Sequence, residues 1–128
     1  MMPLGAIAAV GIGAALGAWL RWALGGWLNP LLPPLPLGTL AANLVGGYLV
    51  GLAVAFFGEH SAVAPEVRLF VVTGFLGGLT TFSTFSAEAV ALLARAQYGW
   101  WVLHSVGHLA GSIAMTLLGI ASWNAWRP

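Results

Sequence analysis

Four long apolar stretches dominate the chain, approximately residues 4–28, 37–58, 67–94 and 100–126, and only short polar or proline-rich breaks interrupt them. A bilayer core about 30 Å thick is crossed by roughly 20 apolar residues in a helix, so each stretch is long enough to span it. The breaks "NPLLPPLP", "EHSAVAPE" and "RAQYG" carry turn chemistry: Asn29 and Pro30 with Pro33, Pro34 and Pro36, then Ser61 and Pro65, then Gly99. Pro65 and Glu66 suit a helix start, where proline's missing donor costs nothing and a carboxylate meets the positive end of the dipole. Trp19, Trp22, Trp27, Trp100, Trp101, Trp123 and Trp126 gather near the ends of the stretches, as an interfacial belt requires. The pattern predicts an all-α integral membrane protein of four transmembrane helices, one domain over residues 1–128.

Composition supports that class. Hydrophobic residues make up 60% of the chain and charged ones 5%, with a mean hydropathy of +0.95. There is no lysine, so four arginines are the only fixed cations, and no basic patch exists for a nucleic acid. The absence of cysteine excludes disulfides and thiolate metal sites. The start "MMPLGAIAAVGIGAALGAWLRW" lacks the charged region of a signal peptide, so it is expected to stay as the first span.

Orientation in a membrane follows the arginines and lysines near span ends. With four spans the termini share a side; Arg68 and Arg127 fall on it, Arg21 and Arg95 on the other, a count of two against two. Either the count is noise in a chain with few charges, or the protein inserts both ways and the two orientations pair as an antiparallel dimer. The glycines bear on packing, because spans approach closely where small residues recur at spacing four. Gly5, Ala9, Gly13 and Gly17 form such a stripe, and Gly47 with Gly51, Gly74 with Gly78 and Gly107 with Gly111 repeat the spacing. Tight helix packing accounts for nearly all of them, and a unit this thin is expected to associate with another chain.

Polar groups at membrane depth are expensive and point to a pathway or a partner. Asn43 lies within the second span, with an amide that donates and accepts. On the fourth, His104, His108, Ser112 and Thr116 recur every four residues and share one helical face, a stripe about 18 Å long at 1.5 Å per residue. That stripe either lines a wet furrow or knits helices together. A metal site at the two histidines is not expected, because no carboxylate or thiolate stands at ligand spacing in the sequence. Arg21 either snorkels to the interface or places positive charge at a pore mouth. Glu88 can cancel an arginine, cap a cavity or face a vestibule, and spacing does not choose among these.

One segment of the third stretch, "GFLGGLTTFSTFSAE" (74–88), is a poor helix for its surroundings. Gly77 and Gly78 followed by Leu79, Thr80 and Thr81 predict an unwound turn, whose carbonyls need a cation, a partner chain or water. The half-helix that follows offers amides and a dipole that favour an anion. Phe82 and Phe85, at i and i+3, share a face and can present their positive ring edges. Ser83, Thr84 and Ser86 add hydroxyl donors. Together these describe a weakly polar anion path, although two phenylalanines on a helix are also ordinary core packing.

"GAALGAWLRW", "GTLAANLVGG" and "GFLGGLTTFSTFSAE", in that order in a four-span chain, closely resemble the small bacterial fluoride channels of the Fluc or CrcB family. The resemblance covers essentially the whole chain. It implies a dual-topology antiparallel homodimer in the bacterial inner membrane, with two pores that let fluoride leave passively and so relieve its toxicity. It implies a structural Na+ at the dimer centre, held by the backbone carbonyls of Gly77 and Thr80. The pathway it implies comprises Asn43, Phe82, Phe85, Ser83, Thr84, His108, Ser112 and Thr116, with Arg21 at the vestibule. His108 departs from the family's hydroxyl pattern and puts a larger, titratable ring at that station. A four-span multidrug-type exporter would want a carboxylate in its first span for proton coupling, and this span has none. An accessory membrane subunit would explain the glycines but not the hydroxyl and aromatic break, and no nucleophile, base and orienting group stand at spacing that suits an enzyme.

Overall fold

The computed structural model describes residues 3–128, and among them there is no strand. Helix α1 (Leu4–Leu28) follows Pro3, is rich in alanine and leucine, and tightens into a 3₁₀ turn at Asn29–Leu31 before the prolines end it. Helix α2 (Leu37–Glu59) starts after Pro36. Its free amides at Gly38 and Thr39 donate to Asn29 Oδ1 at 2.7 and 3.2 Å, so a residue of the preceding turn caps it. The third span, Pro65–Ala94, is two helices. Its first half, α3, covers residues 65–79 and is a π-helix over Leu69–Leu76; its second, α4, is Phe82–Ala94. Helix α5 (Tyr98–Trp126) completes the bundle. All four spans are apolar and long enough to cross a bilayer, which makes this a multi-pass membrane protein.

Three span boundaries differ from expectation. The third and fourth spans begin two residues earlier, at Pro65 and Tyr98, and the second ends one later, at Glu59. More consequentially, Gly77 and Gly78 do not unwind: Gly77–Leu79 is helical, and the extended residues are Thr80 (φ −86°, ψ 155°) and Thr81 (φ −152°, ψ 123°). β-Branched threonine tolerates extended backbone better than helix. The α4–α5 turn closes with Gln97 N–H on Leu92 O at 2.9 Å and Ala96 N–H on Leu93 O at 3.0 Å, with Ala96 left-handed at φ 56°.

The glycines remain in the spans as contact surfaces. A methyl group on Gly13 or Gly17 would strike the α3 backbone at Phe70 and Phe75, and one on Gly78 would strike Ala14 of α1. Gly47 and Gly51 of α2 lie in the same way on Ser112 and Thr116 of α5, and Gly119 lies on Tyr48. The spans therefore pair backbone to backbone, α1 with α3 and α2 with α5. Ala42, Ala53, Leu76 and Leu79 form the small buried core between the pairs.

Candidate functional site at the broken third span

The break exists because side chains take amides away from the helix. Thr81 N–H donates to Asn43 Oδ1 at 2.8 Å, so the Gly77 carbonyl loses its regular partner. Thr84 N–H donates to Thr81 Oγ1 at 3.1 Å, which caps α4 and leaves the Thr80 carbonyl likewise without its helical donor. The Asn43 Nδ2 group then donates to Thr81 O at 3.0 Å and to His108 Nδ1 at 2.9 Å. Because Thr81 engages both ends of the amide, its orientation is set; His108 accepts at Nδ1 and carries its ring proton on Nε2. Upstream, Thr80 Oγ1 donates to Leu76 O at 2.8 Å, and Arg21 Nε donates to Gly78 O at 3.0 Å.

Beside the break runs a groove of about 610 Å³. Asn43 of α2, Thr80 to Phe82 with Phe85 of the third span, and Ser105, His108 and Ser112 of α5 form its wall, with Leu109 and Ile113 as the apolar remainder. No lysine or arginine lines it. The Phe82 and Phe85 rings are 5.5 Å apart and tilted by 55°. His104 stacks flat on Phe85 at 5.0 Å and 8°, fixing the plane of the phenyl ring, and His108 approaches the same ring at 4.7 Å. Phe82 is 79% exposed on the outer rim of the groove.

Asn43, Phe82, Phe85, His108 and Ser112, expected from sequence to act together, are thus brought to one groove. The others lie elsewhere. Thr116 is one turn further along α5, where its single hydroxyl proton is shared between Gly47 O and Ser112 O, each at 3.0 Å. Ser83 is exposed, with its hydroxyl 3.2 Å from Thr81 Oγ1, and Thr84 contributes its backbone amide to the cap. Arg21 meets the carbonyl before the break instead of the groove wall. The expectation that no carboxylate stands near the histidines is wrong: Glu88 Oε1 accepts from His104 Nε2 at 2.9 Å, and its Oε2 accepts from Thr39 Oγ1 at 2.6 Å. Thr39 and His104 are buried, and Glu88 is nearly so. These residues are 16 and 49 positions from Glu88, so no local spacing announces them; the available signal is that all three are polar within apolar spans.

The family model described as "CrcB-like protein, Camphor Resistance (CrcB)" matches residues 8–120. A fluoride-specific ion channel FluC of Nitrosospira multiformis is 64% identical over 119 residues, covering 93% of each chain. The proteins of that name from Cupriavidus pinatubonensis and Cupriavidus metallidurans are 62% and 58% identical, over 94% and 98% of each chain. Matched along nearly its whole length by this family model and these relatives, the chain belongs to the CrcB family.

Proposed function

We propose that the chain is a fluoride-selective channel that lets fluoride leave the bacterial cell passively across the inner membrane. It performs no covalent chemistry. The observation that carries this function is the groove at the break: the Ser112 hydroxyl and the Phe82 and Phe85 rings line it beside Asn43 and His108, with no fixed positive charge to trap an anion. Donors of this kind replace the hydration of a small anion without holding it too long. The names of the close relatives support the same ion. Within this function Ser83, Thr84 and Thr116 flank the path, and Arg21 concentrates anions near its mouth.

The functional unit is an antiparallel homodimer of dual topology, supported by the even division of the arginines and by Phe82, exposed where a second copy can close the groove. A structural Na+ at the dimer centre fits the break. The carbonyls of Gly77 and Thr80 are the two that lose their helical donors to Asn43 and Thr81, and uncharged carbonyl oxygen suits a hard monovalent cation. Na+ bound there would neutralise those carbonyl dipoles and join the two chains.

Protein reconstituted in liposomes and followed with a fluoride electrode tests the function directly. Fluoride is expected to leave rapidly and chloride not at all, with Phe82→Ile or Phe85→Ile severely slowing efflux while the dimer persists on size exclusion. Equal fluoride and chloride rates, or undiminished flux in both variants, would refute it.

A further inference from the structure

The carboxylate and two imidazoles behind the groove have a second capacity that anion passage does not require. We propose that Glu88, His104 and His108 bind a divalent transition-metal ion of the zinc class, and that the bound ion obstructs fluoride passage. His104 and His108 stand at i and i+4 on α5, the spacing that puts two imidazoles on one helical face to share a metal. Glu88 joins them from α4, and one ligand atom of each residue lies within 4.8 Å of the others. Two histidines and a glutamate are a zinc donor set that leaves a fourth position open. Its bonds of about 2.0–2.2 Å ask the three groups to close by on the order of 1 Å.

Burial and hydrogen bonding favour the site independently of that spacing. His104 and His108 are 0% and 4% exposed, and His104 Nδ1 and His108 Nε2 are buried without a hydrogen-bond partner. Unpaired nitrogens in an apolar span are costly, and ligation relieves that cost for a nitrogen that takes the metal. Thr39 steadies the carboxylate from behind through Oε2, the kind of support that orients metal ligands. Imidazole nitrogen also distinguishes this site from the carbonyl oxygens at Gly77 and Thr80, so it selects zinc, copper or nickel over sodium. Ligation through His104 Nε2 and Glu88 Oε1 breaks the hydrogen bond between them and moves the His104 ring proton to Nδ1. Ligation by His108 Nε2 moves its proton to Nδ1 and breaks the bond from Asn43, so the ion alters the groove wall as well as its charge.

The obstruction rests on the proposed fluoride path, whereas the binding does not, and two measurements separate them. In detergent, Zn2+ is titrated calorimetrically and Co2+ is followed by its visible absorption, using the full-length protein. About one ion per chain and tetrahedral Co2+ bands are expected, with affinity reduced about tenfold or more in His108→Ser and in Glu88→Gln. His60→Ala, which removes the surface histidine, is expected to bind as the wild type does. Binding unchanged in both site variants, or lost in His60→Ala, overturns the site. In liposomes, Zn2+ is expected to slow wild-type fluoride efflux at least several-fold relative to its own zinc-free rate, and to leave His108→Ser at its own zinc-free rate. Tight binding with unaltered efflux overturns the obstruction. Normal fluoride selectivity without zinc binding overturns the metal proposal and leaves the channel function standing.

Discussion

Asn43 shows what one side chain can do inside a membrane. Its amide supplies Thr81 with the acceptor and donor that a continuous helix would have given, and it reaches His108 with the remaining proton. Asn43→Ala would leave the Thr81 N–H and C=O dependent on whatever water enters the groove. Each buried group left unpaired costs about 1–3 kcal/mol, so the variant is expected to melt earlier in detergent and to lose most fluoride efflux. Asn43→Asp keeps the size but replaces two donors with acceptors facing Thr81 O and His108 Nδ1. It is expected to be the slower of the two in the fluoride-electrode assay; faster efflux in Asp than in Ala would show that donation at this position is unimportant. Sequence marked Asn43 as exceptional because an amide in an apolar span needs a partner. It could not name Thr81 or His108, 38 and 65 residues away, since only the packing of α2 against α5 and the break makes them neighbours. Glu88 stays open for the same reason: Thr39, Glu88 and His104 lie on three different helices.

Helices in this protein are held apart or together by single atoms. A methyl on Gly17 would lie 2.7 Å from Leu79 N and closer still to Phe75 O, both backbone atoms that cannot turn aside. Gly17→Ala is therefore expected to destabilise the protein by about 1–3 kcal/mol, as overpacked cores do. Gly11→Ala, with nothing within 4 Å, is expected to be neutral or to add up to about 1 kcal/mol through helix propensity. Thermal melts in one detergent compare the two; equal melting temperatures would remove the close-contact account. Ala96→Gly relieves the left-handed alanine in the α4–α5 turn and is expected to stabilise by about 1 kcal/mol. The spacing-four glycines were legible in sequence because small residues have few other uses between spans. The break was legible to within residues 77–81, but not which of those residues open, because glycine marks where a helix can open, whereas here Asn43 and the Thr81 hydroxyl capture the amides that open it. The π-helical stretch Leu69–Leu76 carries no such mark either, being apolar throughout except for Thr73 and Gly74.

At the scale of the whole molecule, the outer surface is as apolar as the interior. Ile113 and Leu117 of α5 are 56% and 63% exposed, a face that only lipid or another chain can cover. The proposed antiparallel pairing predicts that a reporter fused to the C-terminus appears on both sides of the membrane in similar amounts. Adding two lysines beside Arg95 is expected to bias insertion to one orientation and to lower fluoride efflux with it. The proposed sodium site predicts that exchange of Na+ for N-methylglucamine lowers the melting temperature of the proposed dimer, because an ion bound only by the assembled state would stabilise it by mass action.

The third span is pinned near its interruption from several directions: Arg21 holds Gly78, Asn43 holds Thr81, and the glycine contacts press α1 on α3. A break braced on three sides is poorly placed to swing, so along the proposed path the opening beside it keeps its size and fluoride flow follows the ion's own gradient, except where a bound metal ion obstructs it.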